Sequence, residues 1–295
     1  NMIDLCPVGA LTSEPFRYKA RTWELARRRS ISPHDSLGSN LVVQVKQNKV
    51  MRVLPLENEA INECWLSDKD RFSYDGLNSP DRLQRPMVKR DKTWEELDWA
   101  QAFDYLVPRL QEADIGVLAS PHSTLEELFL GSKLAEGGNA ADFRLRQSDF
   151  SADGQRAGIP WLGMPIAELE KLDRVLVVGS FLRKDHPLIA HRLRKGAARK
   201  GTKVALIGPR RQELLFPVEA SLTSNGLGMG RHLAAVLLAA LRPQGRPVPS
   251  ALRAAVEDLT PGPEHERIAA MLATGELRLV LLGALARRHP AWSEI

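Results

Sequence analysis

Few residues in this chain combine reactivity with a telling context, and Cys6 is the first. It is one of two cysteines in 295 residues, and Pro7 and a small-residue turn, Val8-Gly9-Ala10, follow it directly. Thiolates bind iron, and a Cys-Pro step is how the last ligand of a ferredoxin-type four-iron cluster is often written. The proline stops the chain from coiling back over the cluster. On the dipeptide alone, a small buried thiol near a chain end is the commoner reading. The second cysteine, Cys64, sits in Asn62-Glu63-Cys64-Trp65-Leu66-Ser67. A cluster needs about four ligands, so Cys64 reads as a packed or surface thiol.

Other candidate chemistry is thinner. The seven histidines, at 34, 122, 186, 191, 232, 265 and 289, show no zinc spacing. His186 and His191 are five apart, not the i, i+4 pair of a zinc helix, and the set reads as surface or capping residues. Gly179-Ser180 and Gly208-Pro209 follow strand-like runs, where open parallel sheets bind ligands beyond their carboxyl edge. Tight turns explain these glycines as well. Gly226-Leu227-Gly228-Met229-Gly230 precedes a helix but lacks the Lys-Ser/Thr of a P-loop, so a plain loop is simpler than an anion cradle. No GxSxG elbow and no nucleophile–base pair stands out.

Composition bounds the rest. Hydrophobic content of 43% and charged content of 26% are globular values, and the length suggests two domains. No apolar run reaches the ~18 residues that span a bilayer. Two cysteines make no disulfide scaffold, so a reducing compartment is the easier assumption. The net charge of +5 is carried largely by Arg27-Arg28-Arg29 and by the run 192–200. Aromatic residues are 6% of the chain and do not interleave with these clusters. Stacking platforms for nucleic acid are therefore lacking, and solvated faces or a surface meeting an acidic partner are the preferred reading.

The elements follow from patterning. Arg27–Ser36 reads as a linker. Leu41–Val45 and Val50–Leu54 read as a hairpin around Gln47-Asn48-Lys49. A helix starts at Thr93, or with equal merit at Asp98, and carries Trp99, Ala102, Phe103, Leu106 and Leu110 on one side, with Pro108 as a distortion or stop. Thereafter strands alternate with helices: Ile115–Ala119, Ser123–Glu136, Arg174–Val178, Pro187–Lys200, Val204–Ile207, Leu233–Leu241, Glu264–Ala273 and Leu277–Leu282. Such alternation implies parallel pairing and an open α/β layer structure after a small β-rich N-terminal unit.

The longer strings carry a resemblance. Cys6-Pro7-Val8-Gly9-Ala10-Leu11-Thr12, then Pro15-Phe16-Arg17-Tyr18-Lys19-Ala20-Arg21 and Trp23-Glu24-Leu25, resemble the large iron–sulfur subunit of respiratory complex I, the NADH:quinone oxidoreductase of bacteria. Leu37-Gly38-Ser39-Asn40, Trp65-Leu66-Ser67-Asp68-Lys69 and Arg71-Phe72-Ser73-Tyr74-Asp75-Gly76-Leu77 continue it, and so do Thr124-Leu125-Glu126-Glu127 and Arg144-Leu145-Arg146-Gln147. The resemblance implies a tail of a cluster-binding segment at 1–26 and a small β-rich unit at 27–80. It implies a molybdopterin-oxidoreductase-like α/β domain at 81–295, both ends of the polypeptide being cut. It makes Cys6 the fourth ligand of a 4Fe–4S cluster whose other ligands come from an upstream CxxCxxC run. A 2Fe–2S and further 4Fe–4S clusters would lie in that missing part.

The same resemblance implies electron relay from NADH and flavin toward quinone. The partners would be the other peripheral-arm subunits, including the flavin- and NADH-binding one, on the cytoplasmic face of a bacterial inner membrane. No membrane insertion, nucleic acid or molybdenum is expected. Some members carry an extra four-iron cluster in the small unit. At the corresponding places this chain has Ser32-Pro33-His34-Asp35-Ser36 and Ser67, so that site is expected to be vacated, with Ser67 close to 32–36 and Leu37, Trp65 and Leu66 filling the space. A molybdenum or tungsten bis-pterin oxidoreductase of formate dehydrogenase type is the alternative, and a scaffold without chemistry a third. No Ser, Cys or selenocysteine metal ligand can be placed for the former.

Overall fold

A computed structural model describes residues 2–136, 140–143, 149, 151, 154, 161–293 and 295. The sequence strings Gly137-Gly138 and Arg144–Gln147, and most of 144–163, lie outside the described residues.

The N-terminal unit begins with a single turn, α1 (Met2–Leu5), and then builds a three-stranded antiparallel sheet from β1 (Ala26–Ile31), β2 (Asn40–Lys46) and β3 (Lys49–Pro55) in that spatial order. β2 and β3 form the expected hairpin, and its turn puts Gln47 and Asn48 at φ 48 and 61. Two left-handed residues give the turn twist that matches paired strands. The first half of the stretch read as a linker, residues 27–31, belongs instead to the edge strand β1. Three arginines obscured it, because an edge strand with both faces wet needs no apolar alternation. Leu41, Val53 and Leu66 form the small core beneath this sheet. α2 (Asp68–Phe72) follows, capped by the Ser67 hydroxyl, which accepts from Asp70 N.

The next stretch corrects one expectation and keeps its alternative. Residues from Thr93 form no helix. β4 (Met87–Arg90) and β5 (Thr93–Glu96) make a two-stranded hairpin, turning at Asp91 and Lys92 with φ 47 and 71. Asp98 is the cap. Its carboxylate accepts from Gln101 N and starts α3 (Trp99–Gln111), which runs through Pro108. A proline near the last turn removes a single backbone bond, too little to end the helix. β6 (Gly116–Leu118), α4 (Leu125–Leu134, capped by Thr124) and β7 (Ala140–Asp142) complete this region, with β6 and β7 parallel.

The main sheet is β8 (Arg174–Val178), β9 (Lys203–Gly208), β10 (Ala220–Thr223) and β11 (Arg278–Leu282), in the order β10-β9-β8-β11 and parallel throughout. Its helices are α5 (Leu182–Asp185), α6 (Pro187–Lys200), α7 (Gly228–Leu241), α8 (Arg253–Val256), α9 (Pro263–Ala273) and α10 (Ala284–Arg287). α6 has Pro187 in its first turn and Gly201 at φ 71 beyond its last, where proline costs nothing and glycine takes the left-handed cap. Alternate residues of β8 and β9 divide between two cores. Val175, Val177, Val204 and Leu206 pack with Leu169, Ile189 and Leu193 on one face. Leu176, Val178, Ala205 and Ile207 pack with Met229, Val236 and Ile268 on the other. Both faces are covered, which is why these strands read as unbroken apolar runs.

A charged seam joins the small unit to α6. Arg192 is 4% exposed. It donates to Glu59 O at 2.7 Å, Ile61 O at 3.1 Å and Glu170 Oε1 at 2.6 Å. Lys195 bridges Glu63 and Glu170. Burying these charges is tolerable because each is paired. Arg192→Met keeps the packed stem and removes the donors. It should cost about 2–3 kcal/mol in urea unfolding, and a loss under about 0.5 kcal/mol would mean that the seam only decorates the interface.

Candidate functional site

Cys6 closes the N-terminal turn, its N–H donating to Met2 O at 3.1 Å. The chain then reverses through Gly9 at φ 67, a conformation glycine adopts without steric cost. The backbone N–H groups of this turn, Leu11 first and then Val8, Ala10 and Gly9, hold the thiol below its ordinary pKa against the opposing effect of burial. Donors on sulfur favour thiolate, the form that binds iron. Asp4, two residues earlier, pairs with Arg71 Nη2 at 2.6 Å, with side-chain exposures of 11% and 10%. The cysteine turn is thereby tied to the helix that follows Ser67.

Cys64 is not remote in space. It shares a cleft of about 390 Å³ with Ile3, Asp4 and Leu5, so a thiol that looked unconnected borders the turn that presents Cys6. Two thiols are still short of a cluster. Among the described residues no three His, Cys, Asp or Glu side chains converge to hold a metal. Cys6 offers one thiolate of the roughly four that a 4Fe–4S cluster takes.

The second place is the centre of the small unit. Ser32 Oγ donates to Asp70 Oδ1 at 2.5 Å and Ser67 Oγ to Asp70 Oδ2 at 2.9 Å. Ser32, Ser67 and Asp70 are all buried. Ser67 thus lies beside the 32–36 segment as expected, but the filling differs. A carboxylate bridges the two hydroxyls, and of the apolar side chains named for the purpose only Leu66 enters this core. Leu37 packs against the α/β core, and Trp65 stands edge-on to His191 at 5.3 Å. Sequence reading named both serines and passed over Asp70, although a Ser-x-x-Asp capping pattern was visible. The donor set does not fit an iron–sulfur cluster: hydroxyls are poor ligands for soft iron, and these are already bound to one carboxylate.

At the carboxyl edge of the main sheet, strand order changes direction between β8 and β11, the usual crevice for a ligand. Here α10 closes its floor. Gly283 N donates to Val178 O at 2.8 Å and Leu285 N to Gly179 O at 3.0 Å. Gly179, at φ 66, has no room for a Cβ, which would stand 2.5 Å from Ala286 N. Neither cysteine lies on this sheet. The Gly226–Gly230 run is likewise engaged internally: Gly228 N donates to Asn225 Oδ1 at 2.8 Å, and a Cβ on Gly230 would meet the His289 ring at 3.3 Å. Among the described residues, this edge of the sheet offers a molybdenum–pterin group no thiolate, and α10 closes its floor.

Several histidines are partly buried fasteners rather than surface residues. His232 Nδ1 and His265 Nε2 are 2.9 Å apart, and Gly262 N donates to His265 Nδ1 at 2.9 Å. With Nδ1 accepting, neutral His265 carries its proton on Nε2 and donates it to His232. Burial first, and His265 second, hold His232 below its ordinary pKa. Burial does the same to His186 and His191. A folded state that binds fewer protons than the unfolded one gains stability as pH rises. The contribution is complete above the ordinary histidine value of about 6.5 and is lost as pH falls below it. The melting temperature should hold between about pH 8 and pH 7 and drop by about pH 5.5. His232→Asn should shrink that drop, and an unchanged drop would show that this pair is not a source of it.

Residues 25–75 match a family described as NADH-ubiquinone oxidoreductase NDSU1/NuoG-like, 4Fe-4S domain, and residues 82–237, more than half of the chain, match molybdopterin oxidoreductase. The chain is 37% identical over 211 residues to the G subunit of NADH-quinone oxidoreductase from Rickettsia conorii, covering 70% of this chain and 31% of that one. It is 38% identical over 212 residues to the Rickettsia bellii protein of the same name, with the same coverage. It is 32% identical over 257 residues to the NADH-ubiquinone oxidoreductase 75 kDa subunit of Reclinomonas americana, covering 80% of this chain and 35% of that one. The chain therefore spans about a third of the length of these relatives. Among solved structures, acetylene hydratase from Pelobacter acetylenicus superposes with a TM-score of 0.58 at 15% identity, covering 88% of this chain and 40% of that one, a likeness of fold alone. Among the described residues no helix is long and apolar enough to cross a membrane. The chain belongs to the molybdopterin oxidoreductase family, and its homologues there are the G subunits of NADH-quinone oxidoreductase.

Proposed function

We propose that this chain serves the electron-input arm of an NADH:quinone oxidoreductase, with Cys6 as one ligand of a relay 4Fe–4S cluster and the α/β part as a scaffold. The observation that carries this reading is the Cys6 turn: a thiol biased toward thiolate by backbone donors and anchored through Asp4 and Arg71. When bound, such a cluster supplies one-electron transfer between flavin-derived electrons and quinone. The chain's own part is to present the sulfur, donate N–H groups to it and fix the turn; donors around sulfur tune such centres.

The division into 1–26, 27–80 and 81–295 is part of the proposal. So are a small unit held by Asp70 without a cluster, an α/β domain without molybdenum, and further 2Fe–2S and 4Fe–4S centres upstream. The partners are the other peripheral-arm subunits, including the flavin- and NADH-binding one, on the cytoplasmic face of a bacterial inner membrane. The chain neither enters the membrane nor binds nucleic acid in this reading. A molybdenum or tungsten bis-pterin oxidoreductase is the second reading, favoured by the family match over 82–237. Purification of the full-length protein with its native partners separates the two. Iron without molybdenum, together with NADH:quinone reductase activity, is the expected result. Stoichiometric molybdenum would replace the first reading with the second, and neither metal would leave a plain scaffold.

A further inference from the structure

A short stretch leading into β1 is strongly basic: residues 14–29 carry six Lys and Arg against two Glu, a net +4. Of the two acids, Glu24 is engaged by Lys46 at 2.8 Å and by the Arg21 N–H. Arg27, Arg28 and Arg29 lie on β1, whose six residues are all exposed, and among the described residues no carboxylate pairs with them. Arg27 is in register with Gln44, and Gln44 with Arg52, so a half-buried guanidinium and an exposed one stand on strands of the same sheet. Burial holds Arg52 below its ordinary pKa, Asp4 works against that and Arg27 adds to it. Arg27 itself, exposed and without a carboxylate partner among the described residues, is the group that an incoming carboxylate meets.

Strand geometry says what shape the carboxylates come in. Successive side chains point to opposite faces, so Arg27 and Arg29 share one face and Arg28 occupies the other. A flat acidic surface or a nucleic-acid backbone meets one face only. A strand added beside β1 presents side chains to both, and β1 is an edge with β2 on one side alone. Just before it, Trp23 and Tyr18 are 82% and 96% exposed. Trp, Tyr and Arg are the residue types that dominate binding energy at protein interfaces. Arginines on an edge also discourage wrong pairing, but that role does not call for exposed aromatic rings.

We propose that the free edge of β1 receives an extended, carboxylate-rich segment of another protein as a fourth strand, with Arg27 and Arg29 pairing on one face and Arg28 on the other. This rests on the reading of the chain as a subunit of a multiprotein oxidoreductase. Main-chain bonds give such an added strand its affinity, and alternate side chains give it its specificity.

The test is amide hydrogen exchange on the intact complex, wild type against R27E/R28E/R29E. The outward-facing amides of Ala26–Ile31 should exchange at least about tenfold more slowly in the wild type. In a second variant, R28K, zero-length carbodiimide coupling in the intact complex should join position 28 to an Asp or Glu of another subunit. Equal exchange in both complexes, or coupling confined to this chain, overturns the proposal. Protection that disappears on ribonuclease treatment would assign the strip to nucleic acid and overturn it too. An intact NADH-oxidising complex whose β1 amides exchange fast removes the added strand and leaves the functional reading standing.

Discussion

In the full-length subunit, Cys6→Ala will abolish the EPR signal of one four-iron centre and leave the others, while Cys64→Ala will leave every centre in place. A ligand thiolate is a part of the cluster, so its loss removes a coordination bond that no neighbour here can replace. Among the described residues, no three His, Cys, Asp or Glu side chains converge to hold a metal in its place. Cys64 borders the same turn, in the cleft beside Ile3, Asp4 and Leu5, and that makes the comparison sharp. Replacing a packed thiol by alanine removes little volume and costs on the order of 1 kcal/mol. Electron flow from NADH to quinone should fall by orders of magnitude in the Cys6 variant, because a gap in a relay cannot be bridged by protein alone. The reverse pattern, with a centre lost in the Cys64 variant and none in the Cys6 variant, would move the ligand to Cys64.

How much of this was legible before the structure depends on what kind of signal each residue sends. Apolar runs announced the parallel sheet: β8 and β9 lie within a residue or two of where Arg174–Val178 and Val204–Ile207 placed them. α6 begins at Pro187 and ends at Lys200, the bounds read from the sequence. β1 escaped notice because nothing in Ala26-Arg27-Arg28-Arg29-Ser30-Ile31 is buried. The start at Thr93 failed because Asp91 and Lys92 take left-handed turn conformations, which a lysine gives no reason to expect. β10, four residues with a buried alternate pair, is too short to show a period.

The site divides the same way. Cys6 stood out because a rare residue sits in a long recognisable string. The backbone donors that bias its thiol did not, since they have no residue type. Asp70 is the instructive miss. One carboxylate among 36 acidic residues reads as surface, and only the fold shows that Ser32, thirty-eight positions earlier, donates to it.

Asp70→Ala should accordingly be among the most damaging single changes in the small unit. The side chain is 2% exposed. It accepts from Ser32 Oγ at 2.5 Å and from Ser67 Oγ at 2.9 Å, while Ser32 Oγ itself accepts from His34 N and Asp35 N. Removing the carboxylate strands two hydroxyl donors in a dry centre and loosens the 32–36 turn that Ser32 organises. Each hydrogen bond to a charged group contributes about 1.5–3 kcal/mol, so the expected loss is about 3–6 kcal/mol. Asp70→Asn keeps the volume and one acceptor and should lose roughly half as much. The S32A/S67A double variant should be no milder than Asp70→Ala, because it leaves a buried carboxylate without either donor. The S32A/S67A/D70A triple variant should recover part of the loss, since removing both partners of a buried bond costs less than removing one. Urea unfolding followed through Trp65, which stands at the joint with α6, measures all four. A loss below about 1 kcal/mol in Asp70→Ala, or a triple variant worse than the sum of its parts, would mean that this carboxylate does not clip the two segments together and that the small core around Leu66 holds them by itself.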